Sequence, residues 1–333
     1  MKKQILGIII IITFCSLFFF FILPTISVQQ ITESLQKTNV PVFILAIIII
    51  LISNTFGAVR WSLLMNIIKA PLAKKILHSF GVFSIGQVAG LIVPSRIGNY
   101  SKVPMINKLD NIPYKTGLAA VNAETVLDLG YIGFAGLVSL SILFSFFLTE
   151  KIETLFLVSA LIIFFFTMVV GFFYFDLIRD NIKKSRYIGE HQQQNRFFLL
   201  INIAIEKLFD LIISTREIFT DNRTTVSLVL STVSFNLIAI VGYYCVIRSL
   251  DVNLPLSVFF AIMSISFIVG IISMIPGGFG ASDLSLLFLL VSQGVPPASA
   301  TSIIVLFRIA MYFPIFVVIG FYTISQRSLF ANR

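Results

Sequence analysis

The stretch Pro276-Gly277-Gly278-Phe279-Gly280-Ala281-Ser282-Asp283 separates two strongly apolar runs, Leu256–Ile275 and Leu284–Val291. Such a stretch interrupts a helix, because proline removes a backbone donor and each glycine lowers helix propensity by about 1 kcal/mol. Broken backbone at membrane depth is tolerated only where protein or a water-filled cavity satisfies it. We therefore predict the tip of a helical hairpin that enters the membrane, with Asp283 at the start of its second arm. A short surface loop between two full spans is the alternative.

An earlier stretch has the same Pro-x-x-x-Gly spacing. Pro94-Ser95-Arg96-Ile97-Gly98 also follows an apolar run, Phe80–Val93. Each stretch precedes a long apolar helix that carries charge, namely Glu124 and Asp128 in the first case and Arg308 in the second. We interpret the two as a weak internal repeat. Interrupted apolar segments at matching positions indicate a transporter-like site at the repeat interface.

The composition is typical of a membrane protein. Of 333 residues, 57% are hydrophobic and 12% are charged, and the mean hydropathy is +0.99. The apolar runs are continuous and do not alternate, which indicates membrane helices and excludes a transmembrane β-barrel. The net charge of +9 lies largely in short loops, where it sets topology and does not indicate nucleic-acid binding. Cys15 and Cys245 stand far apart without a His or Cys cluster, so we expect no metal and no other cofactor.

The first half of the chain alternates apolar runs with basic flanks. Lys2 and Lys3 precede a first span, Ile5–Leu23, whose N-terminus we place in the cytoplasm. The second span, Pro41–Val59, ends in Arg60-Trp61, which we interpret as a cytoplasmic interfacial pair. The next run, Phe80–Val93, is short for a span. It has cations on both flanks, namely Lys69, Lys74 and Lys75 before it and Arg96, Lys102, Lys108 and Lys115 after it. We therefore expect a hairpin that enters from the cytoplasm and returns to it.

The long run Tyr114–Leu148 carries Glu124 and Asp128, four residues apart and hence on one helix face. Carboxylates inside a membrane cost roughly 2.5–3.5 kcal/mol each on insertion scales and normally face a bundle interior or an aqueous cavity. We therefore expect both acids to be buried with partners. A position of Glu124 at the interface, within reach of water, is the alternative.

The second half returns to the cytoplasm by the same charge rule. The polar region Asp176–Arg223 follows a span at Leu155–Phe175 and contains an amphipathic segment, Phe197–Phe219. Further spans are predicted at Thr225–Ile247 and Ala298–Ile324.

The predicted fold is a single integral membrane domain over residues 1–333, an all-α bundle of about six to eight transmembrane helices with two Pro/Gly-broken re-entrant hairpins. The first repeat covers about 41–148, the cytoplasmic loop 176–223 and the second repeat about 224–325. On loop charge the repeats have inverted topology, and both termini lie on the cytoplasmic side of the cell membrane.

Four motifs in this order resemble the lysylphosphatidylglycerol synthase transmembrane region, a family also called flippase-like or UPF0104 proteins. They extend over most of the chain: Pro94-x-Arg96-x-Gly98, Glu124-x-x-x-Asp128, Pro276-Gly277-Gly278-x-Gly280-x-x-Asp283 and Leu306-Phe307-Arg308.

The sequence departs from the family pattern at two positions. The second hairpin motif usually ends in Glu, where this chain has Asp283, and an Arg commonly follows the first acid, where this chain has Thr125. Without that Arg, Glu124 needs another cationic partner, for which we predict Arg96 or Arg308.

The resemblance implies movement of a polar lipid or glycolipid across the bilayer. Synthases that resemble this region carry a separate soluble aminoacyl-transfer domain, for which this chain has no hydrophilic stretch, so we expect no enzyme activity. In this interpretation Arg96 binds phosphate, and Arg308 does the same or balances Asp283. Glu124 and Asp128 bind a cationic headgroup or couple movement to protons. The hairpin tips are formed by Pro94, Gly98, Pro276, Gly277, Gly278 and Gly280.

Other functions stay open at this point. A carrier of small solutes or ions has the same hairpins, and an accessory subunit of cell-envelope lipid or polysaccharide synthesis depends on a partner protein. An intramembrane transferase needs a nucleophile or a metal-binding carboxylate cluster. The acids here are spread out, and His78 stands alone beside Lys74 and Lys75.

Overall fold

The structure, a computed structural model, describes residues 28–69, 76–93, 95–147 and 211–325. Nearly all of these residues are helical, and residues 211–217 form a short helical segment. The helices are α1 (Val28–Gln36), α2 (Val40–Ile67), α3 (Ile76–Ile92), a 3-10 helix (Ser95–Ser101), α4 (Lys102–Asp110), α5 (Tyr114–Phe147), α6 (Asn222–Arg248), α7 (Leu256–Ile272), α8 (Ala281–Ser292) and α9 (Pro297–Ser325).

Several sequence predictions lie outside the described residues. These are the span Ile5–Leu23, the span Leu155–Phe175, the polar region and amphipathic segment up to residue 210, and Pro94.

Within the described ranges, four helices, α2, α5, α6 and α9, are long and apolar enough to cross a membrane. Helices α3, α7 and α8 are apolar but shorter. Helices α3 and α7 have 17 residues each, which gives about 25 Å at 1.5 Å per residue, less than the ~30 Å of a hydrocarbon core. The prediction of a polytopic helical membrane protein is confirmed.

The order of helix lengths is the same in two parts of the described chain. From α2 to α5, a long helix is followed by a short helix, a break, short helical pieces and a second long helix. From α6 to α9, the order is again a long helix, a short helix, a break, a short helix and a long helix. Both breaks coincide with the Pro-x-x-x-Gly motifs. This order agrees with two related hairpins, while the opposite orientation of the two parts stays a prediction.

Helix α2 continues past the predicted membrane boundary. Asn39 caps its N-terminus, since the side-chain oxygen of Asn39 accepts the N–H of Val42, and the helix ends only at Ile67. Arg60 and Trp61 are therefore interior residues of the helix, and both are buried. Their interpretation as an interfacial pair was wrong, because the charge of Arg60 is balanced inside the bundle by acids of α5.

The described residues form two buried cores. One lies among α2, α6, α7, α8 and α9, and the other lies among α2, α3, α4, α5 and the start of α6. Helices α2 and α6 approach closely at Gly242, where an added Cβ would lie 2.6 Å from Ile50. Large aliphatic and aromatic side chains remain exposed on the outer faces, as expected for a surface covered by lipid.

Candidate functional site

The two helix breaks meet inside the bundle. The backbone N–H of Gly277 donates a 2.9 Å hydrogen bond to the carbonyl of Gly90, near the end of α3. Gly277, Gly278 and Gly280 all have positive φ, a region that residues with a Cβ rarely adopt. The glycines therefore let the chain turn between α7 and α8 while it touches the first hairpin.

A cavity of about 290 Å³ lies at this meeting point. Both hairpins contribute to it, as do α5, α6 and α9. Among the described residues, the charged ones in its wall are Asp128, Asp283 and Arg308. Its neutral polar wall includes Gln87, Asn99, Tyr131, Asn236, Ser264, Ser266, Ser282 and Tyr312.

A buried ionic cluster lies on the α5 side of the cavity. Nη2 of Arg60 donates to Glu124 Oε1 at 2.8 Å, and Nη1 donates to Asp128 Oδ1. The hydroxyl of Thr232 on α6 also accepts from Nη1, at 3.2 Å. The second oxygen of Glu124 accepts from Nζ of Lys102. Two cations and two carboxylates thus balance in the interior, where an unpaired charge is strongly disfavoured.

The Lys102 ammonium is enclosed by apolar and aromatic groups. Its Nζ lies 4.6 Å from the ring centroid of Trp61 and 5.4 Å from that of Phe83, within the range of cation–π attraction. Gly86 makes room for it, since a Cβ there would lie 2.1 Å from Lys102 Cε. Lys102 was counted as a flanking cation in the sequence, but it is fully buried.

These contacts correct the predicted partner of Glu124. Its two carboxylate oxygens bond to Arg60 and Lys102, and Arg308 bonds to Asp283 instead. Of the two predicted partners, Arg308 was therefore wrong, and the side chain of Arg96 lies outside the described residues. The sequence did contain an indication that Arg60 lies inside the bundle. The apolar residues Leu63-Leu64-Met65 follow it, which indicates that the helix continues past Arg60.

A second ion pair closes the other hairpin. Nε and Nη2 of Arg308 donate to Asp283 Oδ1 at 3.0 and 2.6 Å. Nη2 also donates to Ser282 Oγ, and Nη1 donates to the carbonyl of Gly277 and to the hydroxyl of Tyr312. Asp283 Oδ2 accepts the N–H of Gly280 and so caps α8. Arg308 thus joins α9 to the turn between α7 and α8.

The predicted site residues divide by position. Asp128, Gly277, Gly278, Asp283 and Arg308 line the cavity. Glu124 lies behind Asp128 in the ionic cluster, and Gly280 caps α8 next to the cavity. Pro276 precedes the lining glycines, and Gly98 is buried in the 3-10 helix.

Two predicted residues of the first hairpin remain open. Pro94 lies outside the described residues, and so does the side chain of Arg96, whose backbone lies in the 3-10 helix Ser95–Ser101. The phosphate-binding role of Arg96 stays a prediction.

A third buried polar group was missed in the sequence. His78 of α3 lies 3.0 Å from the hydroxyl of Tyr322 through Nδ1, and 3.0 Å from Asp110 Oδ2 through Nε2. Its interpretation as an isolated histidine was wrong, because its partners lie 32 and 244 residues away. The group joins α3 to the end of α4 and to α9, outside the cavity wall.

Comparison with known proteins extends over nearly the whole chain. A family model described as the lysylphosphatidylglycerol synthase TM region matches residues 4–319. A UPF0104 membrane protein of Methanocaldococcus jannaschii is 24% identical over 322 residues, which cover 94% of this chain and 93% of that protein. A phosphatidylglycerol lysyltransferase of Staphylococcus aureus is 40% identical over 75 residues, which cover 22% of this chain and 9% of that enzyme.

Proposed function

The chain belongs to the lysylphosphatidylglycerol synthase transmembrane-region family, and from this premise we propose that it is a flippase-like transporter, which moves a polar phospho- or glycolipid across the bilayer. The lysyltransferase named among its relatives matches over a small part of its own length. The aminoacyl transfer catalysed by that enzyme is therefore not carried over to this chain, for which we propose a non-enzymatic role.

The observation that carries this proposal is the cavity where the two broken hairpins meet. A lipid headgroup is polar and does not cross hydrocarbon unaided, so a carrier needs a polar site inside the bundle. A volume of about 290 Å³ lies at the lower end of small-molecule pockets. It suits one headgroup, while the acyl chains stay among the apolar surfaces of the helices.

The charged residues supply the chemistry of the transport cycle. Asp128 and Asp283 lie in the cavity wall, each already paired with an arginine. An anionic phosphate group competes with Asp283 for Arg308, and a cationic group competes with Arg60 for Asp128. The first exchange loosens α9 from the second hairpin, because Arg308 joins α9 to Asp283 and to the turn at Gly277. The second exchange loosens α2 from α5, which are joined by Arg60 and Asp128. Binding and movement are thereby coupled in the proposed mechanism.

The membrane assignment follows the same proposal. The protein is integral to a membrane, and we propose the cytoplasmic membrane with both termini in the cytoplasm. Membrane lipid is the proposed substrate. A partner in envelope synthesis is the alternative if lipid does not move.

Translocation of headgroup-labelled lipids in proteoliposomes tests the function. We expect wild-type protein to move at least one member of a panel of phospholipids and glycolipids. Arg96→Ala and Asp283→Ala should lower the rate more than tenfold while the protein remains inserted. Arg248→Ala is the matched control. This exposed arginine is the last residue of α6, bonds to Asn253 and lies away from the cavity.

Two outcomes contradict the proposal. Absence of translocation for every lipid, with correctly inserted protein, favours a solute carrier or an accessory subunit. Full activity of both Arg96→Ala and Asp283→Ala would exclude a transport site at the hairpins, even if the protein translocates lipid.

A further inference from the structure

A buried polar group that the proposed transport site does not use joins three helices at one end of the bundle. This group, called the His78 group below, consists of His78 in the first turn of α3, Asp110 at the end of α4 and Tyr322 near the end of α9. All three residues are at most 2% exposed. Helices α3 and α4 belong to the first predicted repeat and α9 belongs to the second, so the group connects the two.

The chemistry of the side chains fixes the direction of the hydrogen bonds. An ionised carboxylate only accepts, so Nε2–H of His78 donates to Asp110 Oδ2 at 3.0 Å. In the neutral ring Nδ1 then accepts from the hydroxyl of Tyr322, also at 3.0 Å. Asp110 lies at the C-terminal end of a helix, where the helix dipole disfavours an anion and a donor is needed. The imidazole thus links α9 to α4 through two bonds in series.

The end of α9 is held against the bundle at Tyr322. Of residues 319–324, all of which the structure describes, only Tyr322 is buried. Its neighbours Phe321 and Ile324 are 68% and 67% exposed. The tyrosine ring lies on Gly81 of α3, where an added Cβ would stand 2.3 Å from Tyr322 Cγ. Release of this one side chain would therefore free the last two turns of α9.

A proline divides α9 between the cavity and the His78 group. Pro314 lies inside the helix and has no N–H to donate to the carbonyl of Ala310, so the helix bends more easily there. Arg308 lies on one side of Pro314, and Tyr322 lies eight residues beyond it, at about 12 Å along the helix. A bend of about 20° at the proline would move Tyr322 by roughly 4 Å, enough to break its hydrogen bond.

We infer that residues 315–325 of α9 form a gate, with Pro314 as its hinge and the His78 group as the latch that holds it closed. The inference rests on the proposed function for the meaning of opening, but the motion itself is tested without transport. A ligand that takes Arg308 from Asp283 and from the turn at Gly277 frees the middle of α9. The helix then bends at Pro314, and Tyr322 leaves His78.

Hydrogen exchange of the full-length protein in detergent tests the latch. Tyr322→Phe removes the hydroxyl and keeps the ring on Gly81. We expect the amides of residues 315–325 to exchange about three- to tenfold faster, the effect of one lost hydrogen bond, and those of residues 298–308 to stay unchanged. Tyr244→Phe is the matched control, since its hydroxyl donates to the Leu254 carbonyl on α6's loop and its loss should not affect residues 315–325.

A reversible crosslink tests the gate. Cysteines replace Gly81 and Tyr322, with Cys15 and Cys245 removed. Because Tyr322 Cγ lies 2.3 Å from the Cβ position at Gly81, the two new Cβ atoms are less than about 4 Å apart, as a disulfide requires. Oxidation should lower lipid translocation in proteoliposomes more than tenfold, and a reductant should restore it. Tyr322→Cys alone is the control and should not respond to the oxidant.

Unchanged exchange in Tyr322→Phe overturns the inference, and so does an equal rise on both sides of Pro314. A protein that translocates lipid at its full rate while the disulfide is closed also overturns the gate, although the transport function stands. If exchange rises only in residues 315–325 but no lipid is translocated by the reduced or wild-type protein, the latch stands and the transport function fails.

Discussion

Gly98 lies directly against Gly90, so close that a Cβ on Gly98 would stand 2.3 Å from the Gly90 nitrogen. The same Gly90 accepts the hydrogen bond from Gly277. The backbone at Gly90 thus contacts the break of its own hairpin, at Gly98, and the tip of the second hairpin, at Gly277. Because the atoms that block a Cβ on Gly98 are backbone atoms, the contact has little freedom to adjust.

Gly98→Ala should therefore destabilise the junction of the hairpins. Overpacking of this kind costs about 1–3 kcal/mol, and we expect a lower unfolding temperature in detergent together with reduced transport. Gly130→Ala on α5 is the control, since nothing lies within 4 Å of an added Cβ there and alanine favours a helix by up to about 1 kcal/mol. Equal unfolding temperatures for the two variants would contradict the close packing.

The charge balance of the α5 cluster gives a second prediction. Glu124→Gln leaves two buried cations, Arg60 and Lys102, with one carboxylate, and we expect a loss of about 3–5 kcal/mol. Adding Lys102→Met removes the excess cation, so the double variant should recover most of this loss. Chemical unfolding of the single and double variants measures the coupling.

The sole tryptophan of the chain provides a local readout for the same cycle. Trp61 lies beneath the Lys102 ammonium, so Lys102→Met should shift its fluorescence emission, whereas Lys115→Met at an exposed position should not. A double variant no more stable than Glu124→Gln alone would show that packing, and not charge, dominates the cluster.

Residue types and run lengths in the sequence were sufficient for the long helices α5, α6 and α9, but not for the end of α2, for α4 or for the pairing of charges. The bounds of α5 and α9 and the break before Asp283 follow from apolar runs and from Pro and Gly positions. The pairing of Arg60 with Glu124 joins residues 64 apart, and no periodicity within one helix reports such a contact. Loop-charge counting treated Arg60 and Lys102 as flanking cations, although both are buried.

The pairing of Asp283 with Arg308 was one of three roles predicted for Arg308, beside phosphate binding and pairing with Glu124. The pairing could be predicted because an acid such as Asp283, inside the membrane at the start of a short helix, needs a cation at a similar membrane depth. Arg308 in the long apolar run of α9 is such a cation. The group of His78, Asp110 and Tyr322 could not be found in this way. Its members are single residues on three helices, and only their packing brings them together.

Arg308 bonds through all of its nitrogens, which leads to a third prediction. Arg308→Lys keeps the charge but cannot reproduce donation to Asp283, Gly277 and Tyr312 together, because an ammonium group is a single point. We expect translocation to fall at least tenfold, with a loss of about 1–3 kcal/mol in stability. Asp283→Glu keeps the acid and should retain more activity than Arg308→Lys. The reverse order would show that position, and not bidentate geometry, matters at this pair.

The outer ends of the two hairpins test the inverted repeat. Lys115 lies at the open end of the first hairpin and Ser292 at the open end of the second, and both are exposed. In the inverted arrangement the first hairpin opens to the cytoplasm and the second to the outside. Single cysteines at these positions, with Cys15 and Cys245 replaced, should therefore react with a membrane-impermeant thiol reagent from opposite sides.

The labelling is measured in intact cells and in inverted vesicles. A cysteine at Lys37 is the marker for the outside, since the charge rule places the polar stretch Ser27–Val40, between the first two predicted spans, on that side. We expect Ser292→Cys to react together with Lys37→Cys, and Lys115→Cys to react only in inverted vesicles. Reaction of all three from one side would remove the inverted repeat. The cavity between the hairpins would remain, but access to it from the two faces would then need a different motion from the exchange of two related halves.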